Sequence, residues 1–229
     1  MKYEVFMNSL KRTSKMSKKL ILFSIIILSI EQTKAQFVNG IGVTVGVSAG
    51  NQKFYFAEPV SISRKKYIVG FNASIFGEFL SHDYARWVTE IQYDQKGSID
   101  KQPEGNYPNK LQYLSWNNYL KLRYEMYSII PYIMLGPKLE YRLAQATSSP
   151  AVTSSFLPLH ISGAFGGGVE FVSYTNFKFL VEAFYNPDMM PAYVSPELHI
   201  KNKNIQLRVG VKYEFGGQKE SCNTPTYVE

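Results

Sequence analysis

Alternation of apolar and polar residues is the feature that most constrains this chain. Residues 204–215 read NIQLRVGVKYEF, in which every second residue is apolar and the residues between them are Gln, Arg, Gly, Lys and Glu. Successive side chains of a β-strand point to opposite faces. The segment therefore predicts a strand with one apolar face and one charged face.

The same alternation recurs along the chain, and we find no sustained helical period after residue 37. Seven further segments show it, at residues 41–49, 67–79, 84–96, 112–124, 129–143, 159–172 and 177–186. Eight strands of this length suit a small closed barrel. The predicted fold class is all-β, an eight-stranded antiparallel up-and-down barrel.

The connections between these segments alternate in length. Three are short, around residues 80–83, 125–128 and 173–176, and four are long, at roughly residues 50–65, 97–110, 144–158 and 187–203. One end of the barrel would then carry tight turns and the other end four long loops. Transmembrane barrels have short periplasmic turns and longer extracellular loops, so the pattern favours a membrane barrel with both termini in the periplasm.

The apolar faces distinguish a membrane barrel from a soluble, lipocalin-like ligand-binding barrel. They are crowded with large side chains, whereas the interior of an eight-stranded barrel is just wide enough for side chains to fill. Aromatic residues gather near strand ends, as in Trp87 and Tyr93, which is typical of the two interfaces of a bilayer. Glycines such as Gly42, Gly168 and Gly210 fall on the polar face, where a narrow lumen has little room. We therefore predict that the apolar faces contact lipid.

The first 35 residues have the features of a secretory signal peptide. Lys18 and Lys19 precede an apolar run that ends at Ile30, and Ala35 offers a small residue for cleavage; Met16 is an alternative start. Seven of the 25 basic and two of the 18 acidic side chains lie in this leader, so the remainder is close to neutral and gives no indication of nucleic-acid binding. The predicted organisation is a signal peptide at 1–35, a barrel at 36–215 and a polar periplasmic tail at 216–229 that contains Cys222, the one cysteine.

Several segments together resemble a known family. These segments are VTEIQYDQKG at 88–97, YLSWNNYLKLRY at 113–124, IPYIMLGPKLEYRL at 130–143, GAFGGGVEF at 163–171 and LRVGVKYEF at 207–215. In order and spacing they look like the PorT-like outer-membrane β-barrel family of Gram-negative bacteria. The resemblance implies an eight-stranded barrel in the outer membrane and implies little about activity. Phe215 matches the terminal aromatic residue of such barrels, although fourteen residues follow it here.

The chain shows no motif that predicts an enzyme, a cofactor or a metal. His82, His160 and His199 lack the spacing of metal ligands. Charged residues of both signs do recur at mid-strand depth on the polar faces, and in a narrow lumen they must pair or be hydrated. These are Glu90, Arg123, Glu140, Glu170, Glu182 and Arg208. We expect a structural network that closes the lumen; a narrow conducting pore is the alternative.

The long loops are the predicted functional surface, because function concentrates in loops on rigid scaffolds. Met189, Met190 and Tyr193 in the last long loop are candidate contact residues. The predicted function is a non-enzymatic anchor or interaction scaffold in the outer membrane, with membrane lipid as its surroundings and no nucleic-acid partner. A component of a protein-secretion or envelope-assembly complex is a second hypothesis, with other envelope proteins as partners.

Overall fold

The computed structural model describes residues 38–56, 64–80, 82–102, 105–148, 152, 155–173 and 175–215. The predicted signal peptide and the predicted C-terminal tail lie outside the described residues. No helix within the described ranges is long and apolar enough to cross a membrane.

The described residues form nine strands, eight of which build the barrel. Their bounds are β1 Val38–Phe56, β2 Arg64–Phe79, β3 Ala85–Gln102, β4 Gly105–Arg123, β5 Ile129–Thr147, β6 Leu159–Phe171, β7 Phe177–Pro187, β8 Tyr193–Val194 and β9 Leu198–Glu214. The short strand β8 lies in the connection between β7 and β9 and pairs with β9 at Ile200 and His199.

Antiparallel pairing runs around a closed ring. Strands β1 to β7 pair in chain order, β7 pairs with β9, and β9 pairs with β1 from Gly40↔Glu214 to Phe56↔Leu198. The predicted eight-stranded up-and-down barrel is confirmed. Each of the eight barrel strands in the described part of the chain pairs with two neighbours, as a sheet within lipid requires, because no water is available there to hydrogen-bond a free edge.

The two ends of the barrel differ. The turn end holds Val38, Phe215 and the short connections after β2, β4 and β6, and the loop end holds the connections after β1, β3, β5 and β7. A membrane-spanning strand needs about 9–11 residues, whereas β1, β4 and β5 have 19 residues each. Several strands are therefore longer than a bilayer requires.

The prediction of a long loop at residues 97–110 was wrong. Strands β3 and β4 stay paired as far as Gln102↔Gly105, and Pro108 lies within the ladder opposite Ile99. Gly97 has a φ of +149°, and a Cβ there would lie 1.9 Å from the carbonyl oxygen of Asn109. A glycine at this position lets the ladder continue through a backbone conformation that other residues rarely adopt.

The outer face of the barrel is apolar. Ile41, Val43, Val45 and Val47 of β1 are each 50–56% exposed, and the other barrel strands likewise present alternating Leu, Ile, Val and aromatic side chains. The indole nitrogen of Trp116 donates a hydrogen bond of 2.8 Å to Thr89 Oγ1 on the neighbouring strand, so its polar atom is satisfied on this face. An exterior of this composition needs lipid around it.

Packing inside the barrel depends on glycines that lie opposite large aromatic side chains. A Cβ at Gly42 would lie 2.4 Å from the ring of Phe76, and a Cβ at Gly166 would lie 2.5 Å from the ring of Phe184. The inward-facing glycines therefore provide the space that these aromatic rings occupy. Together with Tyr119 the two rings belong to a small apolar cluster that fills the middle of the lumen.

Candidate functional site

The lumen is lined by charged residues that alternate with the lipid-facing ones. All six charged residues predicted for the interior lie there and are at most 4% exposed: Glu90, Arg123, Glu140, Glu170, Glu182 and Arg208. They belong to clusters at three heights along the barrel axis. Asn117 links the middle cluster to the one nearest the loop end, because its amide nitrogen donates to Glu90 Oε1 at 3.0 Å and to Gln92 Oε1 at 3.2 Å.

The middle cluster is centred on Arg208. Its Nε and Nη2 donate to Glu182 Oε2 at 3.0 and 2.6 Å, and its Nη1 donates to Glu90 Oε1 at 2.8 Å. The hydroxyl of Tyr132 donates to Glu182 Oε1 at 2.6 Å. The guanidinium also lies 4.3 Å from the ring centroid of Phe184. One cation thus pairs with two carboxylates and has most of its donors occupied.

The cluster nearest the turn end pairs two lysines with two glutamates. Lys121 contacts Glu78 at 2.5 Å and also pairs with Glu170, while Lys212 lies 2.7 Å from Glu170 and 3.1 Å from Glu78. Arg86 adds a contact of 2.9 Å to Glu78. Four of these side chains are at most 2% exposed, so each charge is neutralised by neighbours rather than by solvent.

Arg123 lies at the rim of the turn end and is linked to the turn-end cluster through Glu214 and Arg86. Its Nη2 pairs with Glu125 at 2.7 Å, and the side chain of Glu125 is 61% exposed at the rim of the turn end. Its Nη1 lies 3.9 Å from Glu214, which in turn pairs with Arg86 and Lys178. Arg123 therefore joins a partly exposed group at the mouth of the barrel.

The third cluster lies towards the loop end. The ammonium of Lys96 contacts both carboxylate oxygens of Glu140, at 2.6 and 2.8 Å, and Lys138 lies 3.7 Å from the same carboxylate. Lys138 also donates to the amide oxygen of Gln92 at 2.8 Å. The amide groups of Asn204 and Gln206 both donate to Asp94, at 2.9 and 2.7 Å. Charges and amides together fill this part of the lumen.

An apolar cap closes the loop end above these charges. It consists of Leu111, Tyr113, Phe156, Ala192, Tyr193, Leu198 and Ile200, all at most 4% exposed. Phe156 comes from the connection after β5, and Ala192 and Tyr193 come from the connection after β7. The rings of Phe156 and Tyr193 lie 5.3 Å apart. Two connections therefore fold over the barrel opening and bury their own apolar side chains.

The cap divides the three candidate contact residues. Met189 and Met190 are 60% and 52% exposed, as a contact surface requires. Tyr193 is 1% exposed and packs inside the cap, so we correct its interpretation as a surface contact. The sequence alone does not decide whether a tyrosine in a loop is exposed or buried. Here the opening of the barrel offers apolar contacts for its ring.

Sequence reasoning missed several partners of the predicted charges. Glu78 and Lys96 lie at the ends of their predicted strands and continue the alternation that we used for the other residues. Both lie inside the predicted segments 67–79 and 84–96, so the alternation already assigns them to the polar face. Lys121, Lys138 and Lys212 were placed on the polar faces by the same pattern, but their pairing depends on which strands face each other across the lumen.

These features define a class of protein. A closed antiparallel barrel with an apolar exterior and an interior of paired charges is a small transmembrane β-barrel.

The comparisons with known proteins agree on this fold. No protein-family model matches the sequence, and no curated protein matches it. The barrel is similar to the outer membrane protein OprG from Pseudomonas aeruginosa, with a TM-score of 0.55 and 10% sequence identity over 80% of this chain and 99% of that chain. This likeness shows the fold of outer-membrane β-barrels. The relation to the PorT-like family stays a prediction.

Two further solved structures are similar at lower scores. Outer membrane protein AlkL in lipid bilayers has a TM-score of 0.47 at 10% identity, over 82% of this chain and 97% of that chain. Neisserial surface protein A has a TM-score of 0.46 at 15% identity, over 76% of this chain and 97% of that chain.

Proposed function

We propose that this protein is a non-enzymatic outer-membrane β-barrel that anchors an interaction surface at the cell exterior. The observation that carries the proposal is the filled lumen. Paired charges occupy it at three heights, and the apolar cap closes its loop end. A barrel filled in this way offers its ends, rather than its interior, to other molecules.

The orientation follows from the two ends. The three connections at the turn end are short, whereas at the loop end the connections after β5 and β7 are longer and fold over the opening. In outer-membrane barrels the short turns face the periplasm. We therefore assign the turn end, with both ends of the described chain, to the periplasm. The loop end then faces outward and carries Met189 and Met190.

The exposed methionines are the proposed centre of the contact surface. Lys201 donates to the backbone oxygen of Met189 at 3.0 Å, and the connection is anchored beneath by the buried Tyr193. Flexible thioether side chains on an anchored backbone suit contact with an apolar surface of a partner protein. A partner in a secretion or envelope-assembly complex is one form that this role can take.

A first experiment tests the membrane barrel itself. We expect recovery of the protein in the outer-membrane fraction and faster gel migration without boiling than after boiling. Recovery as a soluble periplasmic protein without a mobility shift would contradict the proposal.

A second experiment tests the interaction surface in living cells. A photoreactive amino acid at Met190 is expected to cross-link to a discrete partner. The same probe at Tyr127, a fully exposed residue of the turn end, is the matched control for a probe on the other side of the membrane. Absence of cross-links at Met190 would count against a scaffold, and stepwise ion conductance of the wild-type protein in planar bilayers would favour the pore instead.

A further inference from the structure

The structure brings together three possible metal ligands that lie far apart in the sequence. They are Glu140 on β5, His160 on β6 and Asp188 after β7. One ligand atom from each side chain lies within 4.8 Å of the ligand atoms of the other two. All three side chains are buried. Glu140 and His160 are cross-strand partners, and Asp188 forms a β-bridge with Ser162 on the same strand as His160.

Each carboxylate turns one oxygen towards His160. Asp188 Oδ2 accepts from the backbone nitrogen and the amide nitrogen of Asn202 at 2.7 and 2.8 Å, whereas Oδ1 has no hydrogen bond. Glu140 Oε1 faces Lys96 and Lys138, and Oε2 lies 2.8 Å from Lys96 Nζ and 2.9 Å from His160 Nε2. Outer partners of this kind orient ligands around a metal.

His160 is the second, independent sign of a ligand at this point. Its side chain is 1% exposed, and Nε2 lies 2.9 Å from Glu140 Oε2 and 3.4 Å from Asp188 Oδ1. Neither ring nitrogen has an aligned hydrogen bond, and the buried hydroxyl of Ser162 also lacks one. Buried polar atoms normally have partners. A cation bound between the two carboxylates would give His160 Nε2 and Asp188 Oδ1 the partner that they lack.

The geometry points to a binding site for a divalent transition-metal cation, formed by His160 Nε2, Glu140 Oε2 and Asp188 Oδ1. Ligands about 2.0–2.2 Å from a tetrahedral Zn²⁺ are roughly 3.3–3.5 Å from each other. The distances of 2.9 and 3.4 Å from Nε2 approach that spacing. An imidazole with two carboxylates suits Zn²⁺ and its neighbours better than Ca²⁺ or Mg²⁺, which prefer ligand sets made of oxygen alone.

Binding here would fasten the connection after β7 to the barrel wall. Asp188 begins the segment that carries Met189, Met190 and the cap residue Tyr193. Tyr113 of the cap packs edge-on against His160, with ring centroids 5.1 Å apart. A metal would therefore hold the floor of the cap and the base of the exposed methionines in one position. This role is independent of whether the surface has a partner.

Lys96 competes with the metal for Glu140. Its ammonium lies 2.8 Å from Glu140 Oε2, the oxygen that the metal would use. Replacing it by methionine frees that oxygen and removes a nearby positive charge. Lys96→Met is therefore expected to bind Zn²⁺ more tightly than the wild type. Loss of a ligand is expected to lower the Zn²⁺ affinity instead.

The experiment is Zn²⁺ titration of the full-length protein, refolded in detergent, against a chromophoric chelator. We expect one Zn²⁺ per chain, with binding weakened at least about 100-fold in His160→Gln and in Asp188→Asn, since even outer-shell partners contribute about 10–100-fold. The visible absorption spectrum of the Co²⁺-loaded protein reports the coordination number of the metal. In a separate assay, Zn²⁺ is expected to slow proteolysis between Asp188 and Leu198.

Matched controls separate this site from adventitious binding. His199→Gln and His82→Gln remove exposed histidines and are expected to leave Zn²⁺ affinity unchanged. Three outcomes would overturn the site: no stoichiometric binding to the folded wild type, equal weakening by His160→Gln and His199→Gln, or unchanged affinity in Asp188→Asn. If Lys96→Met does not fold, Asp188→Asn, which keeps the side-chain shape, still decides the question.

Discussion

Arg208 on β9 reaches across the lumen to Glu90 on β3, with 2.8 Å between Nη1 and Oε1. The two strands are separated around the barrel by β1 and β2. The same guanidinium holds Glu182 on the adjacent strand β7. This side chain therefore ties opposite walls of the barrel together at mid-height.

Replacing Arg208 by methionine should destabilise the barrel severely. Two carboxylates would remain buried without their cation, and breaking a buried pair in this way costs about 3–5 kcal/mol. Urea unfolding in lipid vesicles measures the loss. Adding Glu90→Gln and Glu182→Gln to the same variant removes the unpaired charges and is expected to restore much of the stability. Wild-type stability of the single variant would show that the network contributes nothing.

A charge placed on the outer face tests the lipid contact directly. Val209 lies beside Arg208 but points outward and is 55% exposed. If lipid surrounds it, Val209→Arg should cost about 2–4 kcal/mol, as expected near the middle of a bilayer. Tyr55→Arg, at the loop end of β1, is the control and should cost about 0–1 kcal/mol. Equal small effects at both positions would indicate a water-exposed outer face.

The inward glycines should not tolerate even a methyl group. In Gly166→Ala the new Cβ would lie 2.4 Å from the carbonyl oxygen of Ala183 and 2.5 Å from the ring of Phe184. Overpacking of this kind costs about 1–3 kcal/mol. Gly77→Ala is the control, because its Cβ meets only the ring of Phe79 at 3.2 Å, and a change within about 0.5 kcal/mol is expected. If the two variants have the same unfolding midpoint, the packing argument is contradicted.

Removal of a cap residue should loosen the loop end without opening a pore. Phe156→Ala creates a cavity in the cap and is expected to cost about 3–5 kcal/mol, whereas Leu157→Ala, at an exposed neighbour, should cost little. Because the charge clusters below the cap remain, planar-bilayer recordings of Phe156→Ala should still show no conductance. Conductance steps in this variant would mean that the cap, and not the charges, closes the lumen.

The alternation in the sequence determined the strands and their two faces. A period of two can be read residue by residue, and it placed Val209 outside and Arg208 inside before any pairing was known. It also predicted the eight barrel strands, and it placed the six interior charges on the polar faces. The extent of β3 and β4 was missed, because Gly97 and Pro108 are turn signals that an existing ladder can override.

Tertiary structure decided what the pattern could not specify. Periodicity assigns a side chain to a face, but contacts across the lumen depend on register, closure and height along the barrel. Glu140, His160 and Asp188 are separated in the sequence by 20 and 28 residues and meet only because β5, β6 and β7 pair in this register. Tyr193 is buried for a similar reason, since an apolar opening exists for its ring only once the barrel has closed.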